Sequence, residues 1–266
     1  MYEVDVDLCF NVVKEVVSKA SEIVLEGHES SLEVMTKTSK FDLVTIYDKR
    51  TEEFLIKALK DAFPDHKFIG EETTANNKLT EEPTWIIDPI DGTTNYIHGY
   101  PHIGISLALA VNKEIIIGIV SNPLLKQTFT AVKGRGAFLN EKQIHASKST
   151  ELQSSLIGLE VSVGSIPKYT EEYCQKYKNI VTQIQGVRSL GSAELGLCMV
   201  GWGVWDGYHV NHLQSWDVAA GSLIITEAGG CVLGVDGGKF NCETGGIIAA
   251  GTEKLCKLLV ELLNCK

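Results

Sequence analysis

Apolar residues between positions 5 and 25 recur at helical spacing. Leu8, Val12, Val13, Val16, Val17, Ala20 and Val24 share one side, with Lys14, Glu15, Lys19 and Glu22 between them, which predicts an amphipathic helix packed on a core. A second such stretch covers 49–63, where Phe54, Leu55, Ala58 and Leu59 fall on one face and Pro64 closes it. The period then shortens. Lys67-Phe68-Ile69 reads as a short strand that delivers Gly70-Glu71-Glu72 at its end, and Trp85-Ile86-Ile87 as a buried strand that stops at a turn marked by Pro89 and Gly92. Strand-like runs follow at 103–111, 114–120 and 127–133, the first two joined by Asn112-Lys113, a spacing that predicts antiparallel hairpins.

The second half alternates differently. It reads as a strand at 155–160, helices at 168–177, 192–204 and 217–228, strands near 231–235 and 246–250, and a last helix from 252. Layers of helices and sheets, an α+β architecture, follow from this order. Neither a repeat nor a low-complexity linker interrupts the 266 residues. The chain therefore reads as a single domain of two tightly packed halves, about 1–150 and 151–266, long enough to bury an extensive core.

With 44% hydrophobic and 22% charged residues the composition is that of an ordinary soluble globular protein. A net charge of -10, from 34 acidic and 24 basic residues, argues against a nucleic-acid or anionic-membrane footprint. It does not exclude a phosphorylated substrate, because bound divalent cations reverse the local potential of an acidic site. The seven cysteines are scattered and never spaced Cys-x-x-Cys, which disfavours zinc clusters and disulfide frameworks and points to free thiols in a reducing compartment. The acidic N-terminus (Glu3, Asp5, Asp7) precedes no uncharged stretch of signal-peptide or membrane-spanning length, so a cytoplasmic location is expected.

The chemistry is concentrated where the apolar run at 85–87 ends. Asp88 and Asp91 should project from the C-terminal end of a strand, the place where α/β proteins bind ligands. No Lys or Arg lies between Glu82 and Lys113 to neutralise them, and carboxylates beside an apolar core are disfavoured unless paired, protonated or metal-bound. Glu71 at the end of the neighbouring strand, Asp217 at the start of a helix, and Thr93 directly after Gly92 converge on the pair. Taken singly, Glu71 reads as a solvated loop acid and Asp217 as a helix cap. Together with a backbone carbonyl they suit a hard cation such as Mg²⁺, while the lack of clustered His or Cys disfavours zinc. The Gly92-Thr93-Thr94 amides supply one pole of a phosphate pocket.

Two segments, Trp85-Ile86-Ile87-Asp88-Pro89-Ile90-Asp91-Gly92-Thr93 and Trp216-Asp217-Val218-Ala219-Ala220-Gly221 with Glu227-Ala228-Gly229-Gly230 after it, resemble the hallmark motifs of the inositol monophosphatase family. The likeness extends through Asp42-Leu43-Val44-Thr45, Phe68-Ile69-Gly70-Glu71-Glu72 and Arg188-Ser189-Leu190-Gly191-Ser192-Ala193, nearly the full length. It implies a layered α-β-α-β-α sandwich of the sugar-phosphatase type with mixed sheets, a homodimer, and a lithium-sensitive phosphatase using two or three Mg²⁺ ions. The implied reaction is hydrolysis of a phosphate monoester, inositol 1-phosphate being the expected substrate, by a metal-activated water without a phospho-enzyme.

Carried over by position, the resemblance gives the first metal to Glu71, Asp88 and the carbonyl of Ile90, and the second to Asp88, Asp91 and Asp217. Two ions roughly 3.5 to 4 Å apart clamp a phosphate, offset charge on the departing ester oxygen and lower the pKa of a bound water. The resemblance also assigns Glu71 and Thr93 to ordering that water, with Asp48 hydrogen-bonded to Thr93. Substrate contacts fall on Asp91, Gly92, Thr93, Gly191, Ser192, Ala193, Val210 and Asp217. At position 210, seven residues before Asp217, members specific for inositol monophosphate carry a Glu that contacts ring hydroxyls. Val210 lacks that acceptor, and such a loss broadens or shifts specificity; His209, Asn211 and His212 are the candidates to compensate. Lys37 matches a family Lys near the active-site mouth.

Competing readings fit less well. A haloacid-dehalogenase-type phosphatase needs one residue between its two Asp where Asp88 and Asp91 have two. A nucleotide 3′-phosphatase or sugar bisphosphatase shares the metal motifs and is separated only by its substrates. Asp88-x-x-Asp91-Gly92 lacks the alternating ligands of an EF-hand calcium loop, and a catalytically silent phosphate-binding module should have lost a ligand that this chain keeps. No Gly-x-Ser-x-Gly elbow appears, and Gly134-Arg135-Gly136 does not continue into a P-loop.

Overall fold

A computed structural model describes residues 2–29, 34–36, 43–74 and 78–265. Asp42 and Lys37 lie outside them. Helix α1 (Val6–His28) starts at Asp5, whose carboxylate accepts the Leu8 N–H at 2.9 Å, and buries Val13, Val16, Val17, Ala20 and Val24 of the stripe visible in the sequence, while Leu8, in its first turn, is exposed. Strands β1 (Val34–Thr36) and β2 (Leu43–Thr45) pair antiparallel. Helix α2 (Ile46–Ala62) begins three residues earlier than its hydrophobic pattern predicts. The reason is a capping box at a polar start: Thr45 Oγ1 accepts from the amides of Tyr47 and Asp48, while Asp48 accepts from the Thr45 amide at 2.8 Å.

Strands β3 (Lys67–Gly70), β4 (Thr84–Asp91), β5 (Gly104–Val111), β6 (Glu114–Asn122), β7 (Gln127–Val132), β8 (Ala137–Leu139) and β9 (Lys142–Ile144) form one sheet in chain order. Only β3 and β4 run parallel; the other pairs are antiparallel, β5–β6–β7 being the hairpins expected from the spacing and β8 and β9 strands that the sequence reading did not anticipate. Between β4 and β5 sits helix α3 (Thr93–Ile97). At the β5–β6 turn Asn112 and Lys113 have φ of 52° and 61°, the left-handed pair that a tight hairpin requires.

A second, five-stranded sheet is built from β10 (Leu156–Leu159), β11 (Gly186–Arg188), β12 (Gly207–Val210), β13 (Cys231–Leu233) and β14 (Ile247–Ala250), in the order β11-β10-β12-β14-β13. Its helices are α4 (Thr170–Val181), α5 (Ala193–Gly201), α6 (Ala219–Glu227) and α7 (Glu253–Leu263). Strands β11 and β12 were not anticipated: each is a short piece inside segments rich in Gly and polar residues, and sheet pairing rather than local pattern makes them strands.

Three apolar clusters fix the layer order. One joins α1 and α2 to Trp85, Ile87, Ile105, Leu107 and Ile119 on one face of the large sheet. The next joins the opposite face of that sheet, through Ile86, Ala108 and Ala131, to α5, α6 and the inner face of the small sheet. The third packs Ile157, Leu159, Ile248 and Ala250 against α4 and α7. The result is the α-β-α-β-α sandwich with mixed sheets. Small residues on the middle face let the helices come close: a Cβ on Gly118 of β6 would lie 2.8 Å from the Ala220 carbonyl oxygen in α6.

Candidate active site

The site begins with an irregularity in β4. Strand residues alternate between faces, and Trp85 and Ile87 point to the α1/α2 side while Ile86 points to the middle layer. Ile90 returns to the α1/α2 side instead of following Ile86. The ladder records the same phase change: Asp88 pairs with Ser106 and Asp91 with Gly104, so one extra residue is inserted between them. Pro89, with no N–H for the ladder, sits inside that bulge. The strand therefore continues to Asp91 rather than stopping before it, and the bulge turns Asp88 and Asp91 to the same side.

Gly92 then bends the chain with φ 94°, and a Cβ there would meet the carbonyl oxygens of Gly191 and His102 at 3.0 and 3.1 Å. The short helix α3 that follows is tied at two points. Asn95 Nδ2 donates to the carbonyls of His102 and Leu190, both at 2.7 Å, and the Tyr96 hydroxyl donates to Val24 O in α1 at 2.7 Å. These bonds hold the Gly92-Thr93 turn against Gly191-Ser192 from the second half of the chain.

Asp88, Asp91 and Asp217 each present a carboxylate oxygen, all within 4.8 Å of one another. Asp217 ends a 3-10 turn (Ser215–Asp217) just before α6, and accepts the Gln214 amide at 2.7 Å. Asp88 accepts from the Ile90 amide at 3.0 Å. Burial pushes its carboxyl well above the usual range, and the neighbouring charges of Glu71, Asp91, Asp217 and Asp48 push it further the same way. Asp91 receives three donors, Ser192 Oγ at 2.6 Å, the Glu194 amide at 2.8 Å and the Ala193 amide at 3.1 Å. Burial outweighs them and raises its carboxyl to about 6.

Glu71 stands outside the close triad but beside it. The β3–β4 register sets Gly70 against Ile87, and the Glu71 amide donates to Ile87 O at 3.2 Å, one residue short of Asp88. Asp48 uses Oδ2 for the Thr45 cap and accepts from Thr93 Oγ1 on Oδ1 at 3.1 Å; burial is the chief reason its carboxyl is raised. Thr93 Oγ1 also lies 3.3 Å from Ile90 O. A donor set of Asp oxygens, those of Asp88 and Asp91 buried and that of Asp217 half-buried, fits a hard divalent ion.

The profile of the inositol monophosphatase family matches residues 5–266. The chain belongs to the inositol monophosphatase family. Inositol monophosphatase 2 of Solanum lycopersicum is 40% identical over 259 residues, covering 96% of this chain and 97% of that protein. Inositol monophosphatase 1 of Homo sapiens is 36% identical over 257 residues, 95% of this chain and 93% of that protein. Among solved structures, the Thermotoga maritima IMPase superposes with a TM-score of 0.85 at 30% identity, covering 97% of this chain and 96% of that one. The extragenic suppressor protein suhB of Bartonella henselae gives 0.88 at 30% identity, covering 96% and 98%.

Membership makes the chain a phosphoric monoester hydrolase of a metal-dependent inositol monophosphatase family, and the Asp88, Asp91 and Asp217 group is where a metal can sit. The positions expected to touch substrate are placed unevenly. The donors of Ser192 and Ala193 are directed at Asp91, and the Gly191 amide donates to Glu160 at 2.9 Å. Val210 is fully buried in the middle apolar layer and offers only methyl groups. Two of the three candidates to replace the acceptor are engaged within the fold. His209 is fully buried between Lys176 Nζ at 2.9 Å and Ile247 O at 3.2 Å, and burial with the Lys176 charge pushes it down to about 3. His212, with φ 65°, bonds Glu172 at 2.7 Å and stacks on Tyr169 with ring centroids 3.8 Å apart.

Sequence reasoning missed three buried glutamates that hold site segments by their amides. Glu52 accepts from the amides of Glu72 and Thr73, both at 2.8 Å, directly after Glu71. Glu160 accepts from the Gly191 amide and from the hydroxyls of Ser162 and Ser189. Glu194 is the third. A signal was present: Glu52 shares the inner face of α2 with Leu55 and Leu59, and Glu194 interrupts an apolar helix, and a charge on a core face is informative.

Proposed function

We propose that this protein hydrolyses inositol 1-phosphate to inositol and phosphate, using Mg²⁺ seated by Glu71, Asp88, the Ile90 carbonyl, Asp91 and Asp217. The observation that carries the reading is the cluster of Asp88, Asp91 and Asp217 within 4.8 Å, in a chain whose relatives are named inositol monophosphatases. When bound there, two or three divalent ions would grip the phosphoryl oxygens, acidify the attacking water and offset charge on the departing ester oxygen.

The chain's own residues supply the rest. Thr93 has one hydroxyl proton, and Asp48 Oδ1 at 3.1 Å and Ile90 O at 3.3 Å are its acceptors. Its oxygen is thereby left to accept a hydrogen from the attacking water. Glu71, at the end of β3, takes the other hydrogen and serves as the base. Asp48 keeps Thr93 oriented and is itself fixed by Thr45 at 2.5 and 2.8 Å. Water adds to phosphorus, the P–O ester bond breaks on the far side, and the alcohol leaves with a proton from solvent. The Gly92-Thr93 turn, Gly191, Ser192, Ala193 and Asp217 form the rim for the phosphate and the polyol. Val210 is buried in the apolar layer and offers no acceptor, so discrimination among polyols is weaker here than where a Glu reads the ring.

The protein acts as a homodimer in the cytoplasm, a reading supported by the family resemblance and by the seven free thiols. The test is phosphate release measured across inositol phosphates, sugar phosphates and nucleotides, with Mg²⁺ and with EDTA. Release from inositol 1-phosphate that requires Mg²⁺, falls at least 100-fold in Asp88→Asn and is inhibited by Li⁺ supports the reading. Turnover of Asp88→Asn within a few fold of wild type, or a preference for nucleotide 3′-phosphates, overturns it.

A further inference from the structure

Glu194 is a completely buried carboxylate in a helix that is otherwise apolar. Burying such a group is costly unless its oxygens find donors, and its hydrogen bonds lead to Asp91 and to the helix start that follows Asp217. Its own amide donates to Asp91 Oδ2 at 2.8 Å. Its carboxylate accepts from the amides of Ala220 at 3.2 Å and Gly221 at 2.6 Å, in the first turn of α6, which starts two residues after Asp217. The Ser106 hydroxyl offsets part of the rise that burial imposes on its carboxyl, and Ser106 is the residue opposite Asp88 in the β4–β5 ladder. Across from it the fit is close, since a Cβ on Gly221 would lie 2.6 Å from Glu194 Oε2.

We propose that Glu194 is a positioning residue for the metal seat: a brace that fixes the spacing of Asp88, Asp91 and Asp217 and so sets cation affinity, without itself joining the triad. The inference rests on the metal-dependent reading given above. The need for a brace is electrostatic. Carboxylate oxygens of Asp88, Asp91 and Asp217 within 4.8 Å of one another repel, and the three come from two elements, β4 and the turn before α6. A rigid cross-link holds such carboxylates at metal-binding spacing before a cation arrives, and preorganisation of that kind lowers the cost of binding. Glu52 and Glu160 each hold segments at the edge of the site. Glu194 reaches α5, α6 and β5 at once.

The experiment titrates Mg²⁺ alone into metal-free protein by calorimetry, and records melting temperature in EDTA and at saturating Mg²⁺, for wild type, Glu194→Gln and Ser106→Ala. Gln keeps the shape but must turn an NH₂ donor toward one of the two donating amides. The expected result is Mg²⁺ affinity at least tenfold weaker in Glu194→Gln and about threefold weaker in Ser106→Ala, with a smaller Mg²⁺-induced rise in melting temperature in both. A lower melting temperature in EDTA with unchanged Mg²⁺ affinity means that Glu194 is merely structural, and overturns the proposal. Should Glu194→Gln fail to fold, unchanged affinity in Ser106→Ala overturns it equally. Wild type that takes up no Mg²⁺ at all overturns the metal reading itself, before either variant is considered.

Discussion

Replacing Asp91 with Asn should change how the stability of the metal-free protein depends on pH. Asp91 is 6% exposed, and burial lifts its carboxyl from 3.8 to about 6 against the pull of its three hydrogen bonds. Between those values the folded chain holds a proton that the unfolded chain has released. Ionising Asp91 in the fold therefore removes stability as pH rises through that window. At about 1.4 kcal/mol for each pH unit the gap amounts to about 3 kcal/mol, fully lost above pH 6. Asn has nothing to ionise. It also loses an acceptor for the α5 amides, but that offset is the same at every pH, so the slope is what matters. The assay is urea unfolding of both proteins in EDTA at steps from pH 4 to 7.5. The difference between them must be read, because His209, held neutral with its pKa pushed down to about 3, costs both chains stability as pH falls below 6.5. Asp91→Asn should gain about 3 kcal/mol on wild type across the range, and saturating Mg²⁺ should cancel the gain by binding the ionised carboxylate. A flat difference, or one of opposite sign, would refute the claim that buried, crowded charge governs this side chain.

Thr93→Ala should lower kcat at least 100-fold while shifting unfolding free energy by only about 1 kcal/mol, the worth of one hydrogen bond; steady-state kinetics beside urea melts would show it, and near-wild-type kcat would remove Thr93 from the water-holding role. Gly118→Ala should destabilise by about 1–3 kcal/mol, since its Cβ would approach the Ala220 carbonyl to 2.8 Å and push α6 off the sheet. Val210→Glu should cost at least about 2 kcal/mol if its carboxylate stays in the apolar layer where Val210 is fully buried. A Val210→Glu protein as stable as wild type, with sharpened preference for inositol phosphate, would show instead that the side chain reaches the substrate.

Much of the fold was legible because pattern and packing agree. The stripe of α1 and the hairpin at Asn112-Lys113 depend on local rules, and both stand where the sequence put them. The start of α2 shifted because a capping box, not hydrophobic periodicity, decides where that helix begins. Asp88 and Asp91 stood out in the sequence as anions at the end of an apolar run with no nearby cation, while the roles of Glu71 and Asp217 came from the family resemblance. What the sequence concealed was the bulge at Asp88–Asp91, visible only once β5 supplies a register, and the reach of Glu194, whose partners lie 26 and 27 residues further on. Long-range pairing has no local signature, so the sequence did not show that the donors of Ser192 and Ala193 point at Asp91.

The most direct test of the central claim is anomalous diffraction from crystals of the protein soaked in Mn²⁺, a scatterer with the ligand preferences of Mg²⁺. The account predicts density bounded by the carboxylates of Asp88, Asp91 and Asp217, with Glu71 and the Ile90 carbonyl completing the shell, and its loss in Asp88→Asn. Metal density elsewhere, or none at this cluster in a protein that still hydrolyses phosphate monoesters, would contradict it.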